Sequence, residues 1–386
     1  MTPLLITNAT VLDARRGTVT PRLSVLVRGG LIEEITDSVA CPPHTEVINA
    51  RGRVLMPGLI DSHVHATQFS GDFTEITAAS PYYRAARTAQ VLHQMLLRGF
   101  TTVRDLGGAD HGVARAVEEG LFPGPRVLFG GPIIAPTGGH ALTRICDGET
   151  ELRRAIREQT AVGAHHVKLT LSGGVISSMK IDSLAYSVAE ISAAVDEAAL
   201  AGRYVAGHAY TAAAVNRALE CGVRTIEHGN LIDESSIDLF RQHDAYYVPT
   251  LATYFALAAS DGLSKDARRK VQEVTEAGLQ ALALADKAGI RIAYGTDLHG
   301  RHHDQQLTEF TLRAKVQQPA DIVRAATVAG AELCGLTGKV GEIVPGARAD
   351  LLLVDGNPLE DVGVLADPSR HLKLILQGGA VVHRDI

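Results

Sequence analysis

Hydrophobic and polar positions change rhythm twice along the chain. Over residues 1–57, short β-rich runs such as Leu4 to Thr7, Ser24 to Val27 and Leu31 to Ile35 are separated by Gly17, Pro21 and the pair Gly29-Gly30, the punctuation of turns. From residue 58 to 342, brief apolar and β-branched runs alternate with amphipathic stretches, the pattern of parallel strands connected by helices. Eight of these runs predict strands: Gly58–His63, Thr101–Asp105, Arg126–Phe129, His166–Leu171, Tyr204–His208, Arg224–His228, Tyr246–Pro249 and Arg291–Gly295. Two intervening helices are plainly marked. One opens on Ser187, paired with Glu190 as a capping box, carries Val188, Ile191, Val195 and Ala198 on one face, and stops at Gly202. The other covers Thr211 to Cys221, with Val215 and Leu219 one turn apart and Gly222 as its stop. Beyond residue 342 the short-strand rhythm returns in Ala349 to Val354, Leu372 to Leu376 and Ala380 to His383, with Gly378-Gly379 as a turn.

Eight strand–helix units of roughly 36 residues each fit a (β/α)8 TIM barrel. The expected fold is therefore α/β, with a barrel over 58–342 and a small composite β-sandwich built from both chain ends, 1–57 and 343–386. No fixed-period repeat and no low-complexity segment interrupts it.

Composition narrows the class. In 386 residues, 46% are hydrophobic and 21% charged, enough apolar material for a large core. A net charge of −6 offers no basic footprint for nucleic acid. No apolar run approaches the ~18 residues of a membrane span, and the opening MTPLLITNATVLDARRG has too short an apolar stretch for a secretory signal. Cys41, Cys146, Cys221 and Cys334 form no CxxC pair, which argues against a cysteine zinc site or a disulfide scaffold and fits a reducing compartment. The expectation is a cytoplasmic protein with a small-molecule substrate, and neither a nucleic-acid nor a membrane partner. The absence of Trp argues mildly against sugar stacking.

The candidate chemistry lies where the predicted strands end. The first ends in Asp61-Ser62-His63-Val64-His65, and side chains two apart on a strand share a face, so His63 and His65 can meet one ion; an HxH on a strand is as often incidental. The fourth carries Lys168 among apolar residues. Such a lysine commonly snorkels to solvent; held away from water, it has a lowered pKa and an amine able to add CO2, giving an anionic carbamate that bridges two metal ions. The fifth and sixth end in His208 and His228, 20 residues apart, and the eighth offers Asp297. Singly these read as hydrogen-bonded rim residues or a helix N-cap. In a barrel, however, side chains at the C-terminal strand ends converge on one mouth, and six ligand-type residues there predict a metal site.

The ordered motifs PGLIDSHVH, TTVRDLGG, TGGH, VKLTLSGG, GHAYT, TIEHGN and GTD, with the closing GEIVPGARADLLLVDGNPLED, resemble the amidohydrolase superfamily over nearly the whole chain. GHAYTAAAVNRALECGVRTIEHGN is similar to the branch of prolidases (Xaa-Pro dipeptidases), lysine/arginine carboxypeptidases and imidazolonepropionases. The resemblance implies two divalent ions, zinc before manganese, cobalt or iron, although the donors accept all four. It places one ion on His63, His65 and Asp297, the second on His208 and His228, and N6-carboxylated Lys168 between them. Imidazolonepropionases are similar but use one metal and lack the strand-four lysine, so Lys168 points to the binuclear, peptidase-like side. Homo-oligomers are common among similar proteins.

Two ions sharing an oxygen supply hydroxide near neutral pH. The expected activity is hydrolysis of an amide in a dipeptide or N-acyl amino acid, by attack of the metal-bridging hydroxide while Asp297 moves the proton to the leaving nitrogen. His140, in the loop PTGGHA, and Tyr210 are candidates to bind the substrate and its developing oxyanion, against loop-histidine and packed-aromatic alternatives. Arg301, in LHGRHHD, is a candidate partner for a substrate carboxylate, or a solvated loop residue. Asp105 is expected to anchor loops, and the remaining histidines, His166 among them, to be surface or helix residues. The alternative function is hydrolysis of a cyclic amide (imidazolonepropionase-like), an ester or a phosphotriester at the same site; carboxylate-binding cations at the mouth would favour the first reading and an apolar mouth the second. A barrel without activity is disfavoured because no ligand type is missing.

Overall fold

The computed structural model describes residues 2–38, 41–140 and 144–386. Five strands lead: β1 (Leu4–Asp13), β2 (Thr18–Arg28), β3 (Leu31–Thr36), β4 (Glu46–Asn49) and β5 (Val54–Pro57). The middle of the chain then contributes β6 (Leu59–Val64), β7 (Phe100–Asp105), β8 (Arg126–Phe129), β9 (Ile134–Ala135), β10 (Arg144–Ile145), β11 (Val167–Thr170), β12 (Val205–Thr211), β13 (Thr225–Leu231), β14 (Tyr246–Val248) and β15 (Arg291–Ile292). It closes with β16 (Leu351–Val354), β17 (Leu372–Gln377) and β18 (Ala380–Arg384).

Both chain ends enter one eight-stranded sheet, ordered β18-β17-β16-β5-β1-β2-β3 with β4 beside β1. The join between the ends is β5 against β16, antiparallel, with Leu55 opposite Leu353. Alternate residues Leu4, Ile6, Val25, Val27, Leu351, Leu353, Leu374 and Leu376 form its own apolar core.

The middle strands are parallel and lie in two sheets, β6-β7-β8 and β10-β9-β11-β12-β13-β14-β15. β6, β7, β11 and β14 are buried at every residue, as strands covered on both faces must be. Backbone hydrogen bonds link the two sheets at both edges: His165 N–H donates to Phe129 O at 2.9 Å, and Ser62 N–H to Tyr294 O at 2.7 Å. Helices between the strands supply the main core, with Ile156, Ile191, Ala194, Val215, Leu219, Phe240 and Leu282 packed on strand residues such as Leu169, Val205 and Ile226. The helix Val188–Leu200 has the capping box read from Ser187 and Glu190, and Gly202 follows it at φ +66°. The predicted eighth strand is shorter than expected: regular pairing stops at Ile292, and residues 294–297 turn to hydrogen-bond with β6. No helix among the described residues is long and apolar enough to cross a membrane.

Candidate metal centre and active site

β6 with the turn after it, β12, β13 and the segment after β15 bring five histidines and an aspartate together. Asp297 is the hub. Its Oδ1 lies 3.2 Å from His63 Nε2, 3.1 Å from His65 Nε2 and 3.5 Å from His299 Nε2, and its Oδ2 lies 4.0 Å from His228 Nδ1. The rings of His63 and His228 stand 5.2 Å apart, and those of His208 and His228 4.6 Å. The parallel register sets the last pair, because Ala209 of β12 lies opposite His228 of β13. His63, His228 and Asp297 form one group spaced to hold an ion, and His65, Asp297 and His299 another.

Each of four rings is held at one nitrogen, and in His63 and His65 the other, Nε2, faces Asp297. His63 Nδ1 meets Glu227 Oε2 at 2.8 Å, His65 Nδ1 the carbonyl of Gly107 at 2.9 Å, His228 Nδ1 the hydroxyl of Thr250 at 2.8 Å, and His208 Nε2 the carbonyl of Gly173 at 3.1 Å. Partners of this kind fix tautomer and ring orientation in metal sites. Glu227 is the most elaborated of them. It is fully buried, and its other oxygen takes hydrogen bonds from Arg104 at 2.8 Å and from Thr225. Burial alone would raise its pKa, but the Arg104 guanidinium and His63 hold it well below the usual carboxylate range.

Backbone strain marks the same place. His228, Thr250 and Asp297 all have positive φ, +76°, +50° and +54°, each costing about 1–3 kcal/mol for a non-glycine residue in that region. At His228 the twist has a purpose. Strand alternation would send Glu227 and His228 to opposite faces, yet both reach His63. At Asp297 it lets the backbone N–H donate to His63 O at 2.8 Å while the carboxylate turns into the centre.

Lys168 is 3% exposed, and its Nζ has no hydrogen-bond partner among the described residues. Desolvation pushes its amine down to about 8, against the opposing pull of Glu227 and Asp297. Burial likewise drives His208 and His228 well below the usual histidine range. Asp297 goes the other way: burial opposes ionisation, but His63, His299 and His65 hold it well below the usual carboxylate value.

His140 stacks on His208 at 4.5 Å between centroids, and burial lowers it to about 4, so it is neutral near pH 7. The next residue of its loop, Ala141, lies outside the described residues. Gly174 permits the approach, since a Cβ there would come within 2.3 Å of His140 Nδ1. Tyr210 lies flat against His228 at 5.3 Å and its hydroxyl accepts a hydrogen bond from Tyr254 at 3.0 Å. Asp105 accepts N–H groups of Ala66, Gly107 and Ala109, tying the turns after β6 and β7. Arg301 is exposed and stands outside the cluster, on a groove of about 810 Å³ lined also by Phe69, Phe73, Arg87, Leu257 and His299.

Several residues here escape sequence reasoning: Glu227, Arg104, Thr250 and His299, the last reached by the Asp297 turn. His166 is a correction. Instead of a surface or helix residue it is a fully buried strand-start residue, stacked on Tyr204 and bonded through Nε2 to Asp105 O, because the β8–β11 join encloses it.

Comparison with known proteins agrees with this geometry. The amidohydrolase family model matches residues 54–381. Ochratoxinase of Aspergillus niger is 32% identical over 352 residues, covering 82% of this chain and 73% of that protein. The imidazolonepropionase of Salinispora arenicola is 25% identical, covering 91% of this chain and 90% of the other. A crystal structure of a prolidase complexed with N-methylphosphonate-L-proline superimposes with a TM-score of 0.96 at 40% identity, over 100% of both chains. A strand-end cluster of histidines around an aspartate, on a chain matched from β5 to β18, thus places this protein in the amidohydrolase family, as a hydrolase of carbon–nitrogen bonds.

Proposed function

We propose that this enzyme is a binuclear metal-dependent amidohydrolase that cleaves the amide of a dipeptide or N-acyl amino acid, with dipeptides ending in proline the first class to test. The observation that carries the reading is Lys168, a buried amine without a hydrogen-bond partner among the described residues, near a carboxylate, Asp297, that gathers His63, His65, His228 and His299 around it. A carbamate on Lys168 would turn that orphaned amine into an anionic oxygen donor, and with the histidines and Asp297 this donor set would suit two ions. His63, His65 and Asp297 would hold one, His208 and His228 the other, with zinc the first candidate. Bound there, the ions supply Lewis acidity and hydroxide near neutral pH.

The chain's own side chains divide the remaining work. Asp297, ionised and within reach of three imidazoles, accepts a proton at Oδ1 or Oδ2 and returns it to the leaving nitrogen. His140, neutral at working pH, offers an N–H to the substrate carbonyl oxygen. Tyr210 adds a second donor: with Tyr254 donating to its oxygen, its own proton is free to point at the developing oxyanion. Tyr210→Phe is expected to lower kcat by about 10–100-fold, at the modest end of oxyanion-donor losses; undiminished kcat in steady-state assays would remove Tyr210 from this role.

Glu227 sets His63. Glu227→Gln keeps the volume but removes the charge that favours an Nδ1–H tautomer, and is expected to weaken ion binding by about 10–100-fold. Competition titration of zinc against a chelator measures this, and wild-type affinity would contradict it.

Arg301 and Arg87 on the groove favour a carboxylate-bearing substrate, and the 40%-identical prolidase agrees. Phe69, Phe73 and Leu257 on the same groove keep the second reading, a cyclic amide, ester or phosphotriester, in view. Assay of the zinc-loaded protein against Xaa-Pro dipeptides, other dipeptides and N-acyl amino acids decides between them: released amine establishes the first reading, and silence with two ions bound per chain rejects it. On architecture, we read the two parallel sheets as one closed (β/α)8 barrel over 58–342, and 1–57 with 343–386 as a composite β-sandwich. A homo-oligomeric, cytoplasmic enzyme completes the proposal.

A further inference from the structure

Helix Lys265–Lys287 backs the site, with Val271 and Val274 in one apolar cluster with Tyr210, and one of its lysines is buried where a solvated residue would be expected. Lys270 is 2% exposed. Its Nζ donates to Ser177 O at 2.9 Å and to Met179 O at 3.1 Å, and meets Asp266 Oδ2 at 2.7 Å. These partners satisfy all three ammonium protons, two of them on the loop that joins β11 to helix Val188–Leu200.

That loop touches the site at three points. Gly173 O receives His208 Nε2, Gly174 lies against His140, and Val175 packs with Tyr210, Tyr254, Val271 and Val274. Its next residue, Ile176, lines the groove together with Leu257 and Leu263, which precede the same helix. Lys270 is thus the polar tie from the helix to the loop.

We propose that Lys270 is a positioning residue: by clamping the carbonyls of Ser177 and Met179 it fixes the loop whose Gly173 carbonyl aims His208 and whose Gly174 seats His140. The part concerning His208 as an ion ligand rests on the two-ion reading above; the clamp itself does not.

Lys270→Met and Lys270→Arg separate this from a purely structural role. Hydrogen exchange of the zinc-loaded full chain should show peptides over residues 172–185 exchanging about tenfold faster in Lys270→Met, with the helices elsewhere unchanged. Lys270→Arg, which retains charge and donors, should restore wild-type exchange. The more weakly held zinc ion should bind about tenfold less tightly in Lys270→Met, the scale seen when a ligand loses its orienting partner. Should Lys270→Met fail to fold, Lys270→Gln, which keeps a donor for one carbonyl, should show an intermediate rise in exchange. Unchanged exchange in folded Lys270→Met, or in Lys270→Gln where Met does not fold, overturns the clamp, and faster exchange with unaltered zinc binding overturns the positioning of His208. A wild-type chain that binds a single zinc ion defeats the two-ion reading, and the exchange comparison still decides the clamp.

Discussion

Asp297→Asn is expected to lower kcat by about 10²–10⁴-fold, the contribution typical of a positioned acid–base group, with the fold intact. The substitution is a narrow one here. Asparagine tolerates the left-handed backbone that Asp297 adopts at φ +54°, and it retains the N–H that donates to His63 O. The amide matches the carboxylate in size. What disappears is the anion that His63, His65 and His299 surround, and with it the site for a proton between attack and departure. Because an amide nitrogen leaves poorly unless protonated, the loss should fall on kcat, and esters with good leaving groups should suffer less. Steady-state kinetics on an amide and an ester of the same acyl group, with ion content measured in parallel, test this. Wild-type amide turnover by a fully loaded variant would remove Asp297 from proton transfer.

The elements of the fold that were legible in the sequence are those whose pattern is local. Short apolar and β-branched runs marked β6, β7, β11 and β14, and Ser187 with Glu190 marked a helix start that the structure reproduces. β9 and β10, two residues each, are too short to impress a period on the chain, though they frame the loop that carries His140. β4 and β5 are four residues each, too short to show a clear alternation although Pro43, Gly52 and Gly58 flank them.

The site divides in the same way. His63 and His65 share a strand face by alternation, and His208 and Lys168 fall on strands with a clear pattern, so their convergence followed from strand order. Glu227 was hidden because alternation points it away from His228, and the positive φ at His228 cancels that rule. Arg104 pairs with Glu227 across 123 residues, a distance at which no spacing argument operates. In KDARRKVQEV, Lys270 looks like one charge among many on a solvated helix, and its two carbonyl partners are 91 and 93 residues away.

Lys168→Met should abolish amide hydrolysis and, at the same time, stabilise the metal-free chain, two effects of opposite sign from one atom group. The amine titrates near 10.5 when solvated and is pushed down to about 8 in the folded chain by desolvation. Between those values the unfolded chain holds a proton that the folded chain has released, so folding becomes more favourable as pH rises from 8 toward 10.5. Below 8 the cost of burying the cation is fully present, about 3 kcal/mol on the conversion of one pKa unit to 1.4 kcal/mol. Methionine fills nearly the same volume and carries no charge. Denaturant unfolding in chelator should therefore show the variant more stable than wild type by about 3 kcal/mol at pH 6.5–7, with the difference fading by pH 10.5. The same lowered pKa gives the wild-type amine a reactive neutral fraction near pH 8, so zinc uptake by the metal-free wild type should accelerate with bicarbonate and with rising pH. The variant should respond to neither and should fail to hold two ions. Two bound ions and intact turnover in Lys168→Met would exclude the carbamate; a metal-free variant less stable than wild type at pH 6.5 would mean that Lys168 finds a partner in the folded chain, and the premise of an unpaired buried cation would fall with it.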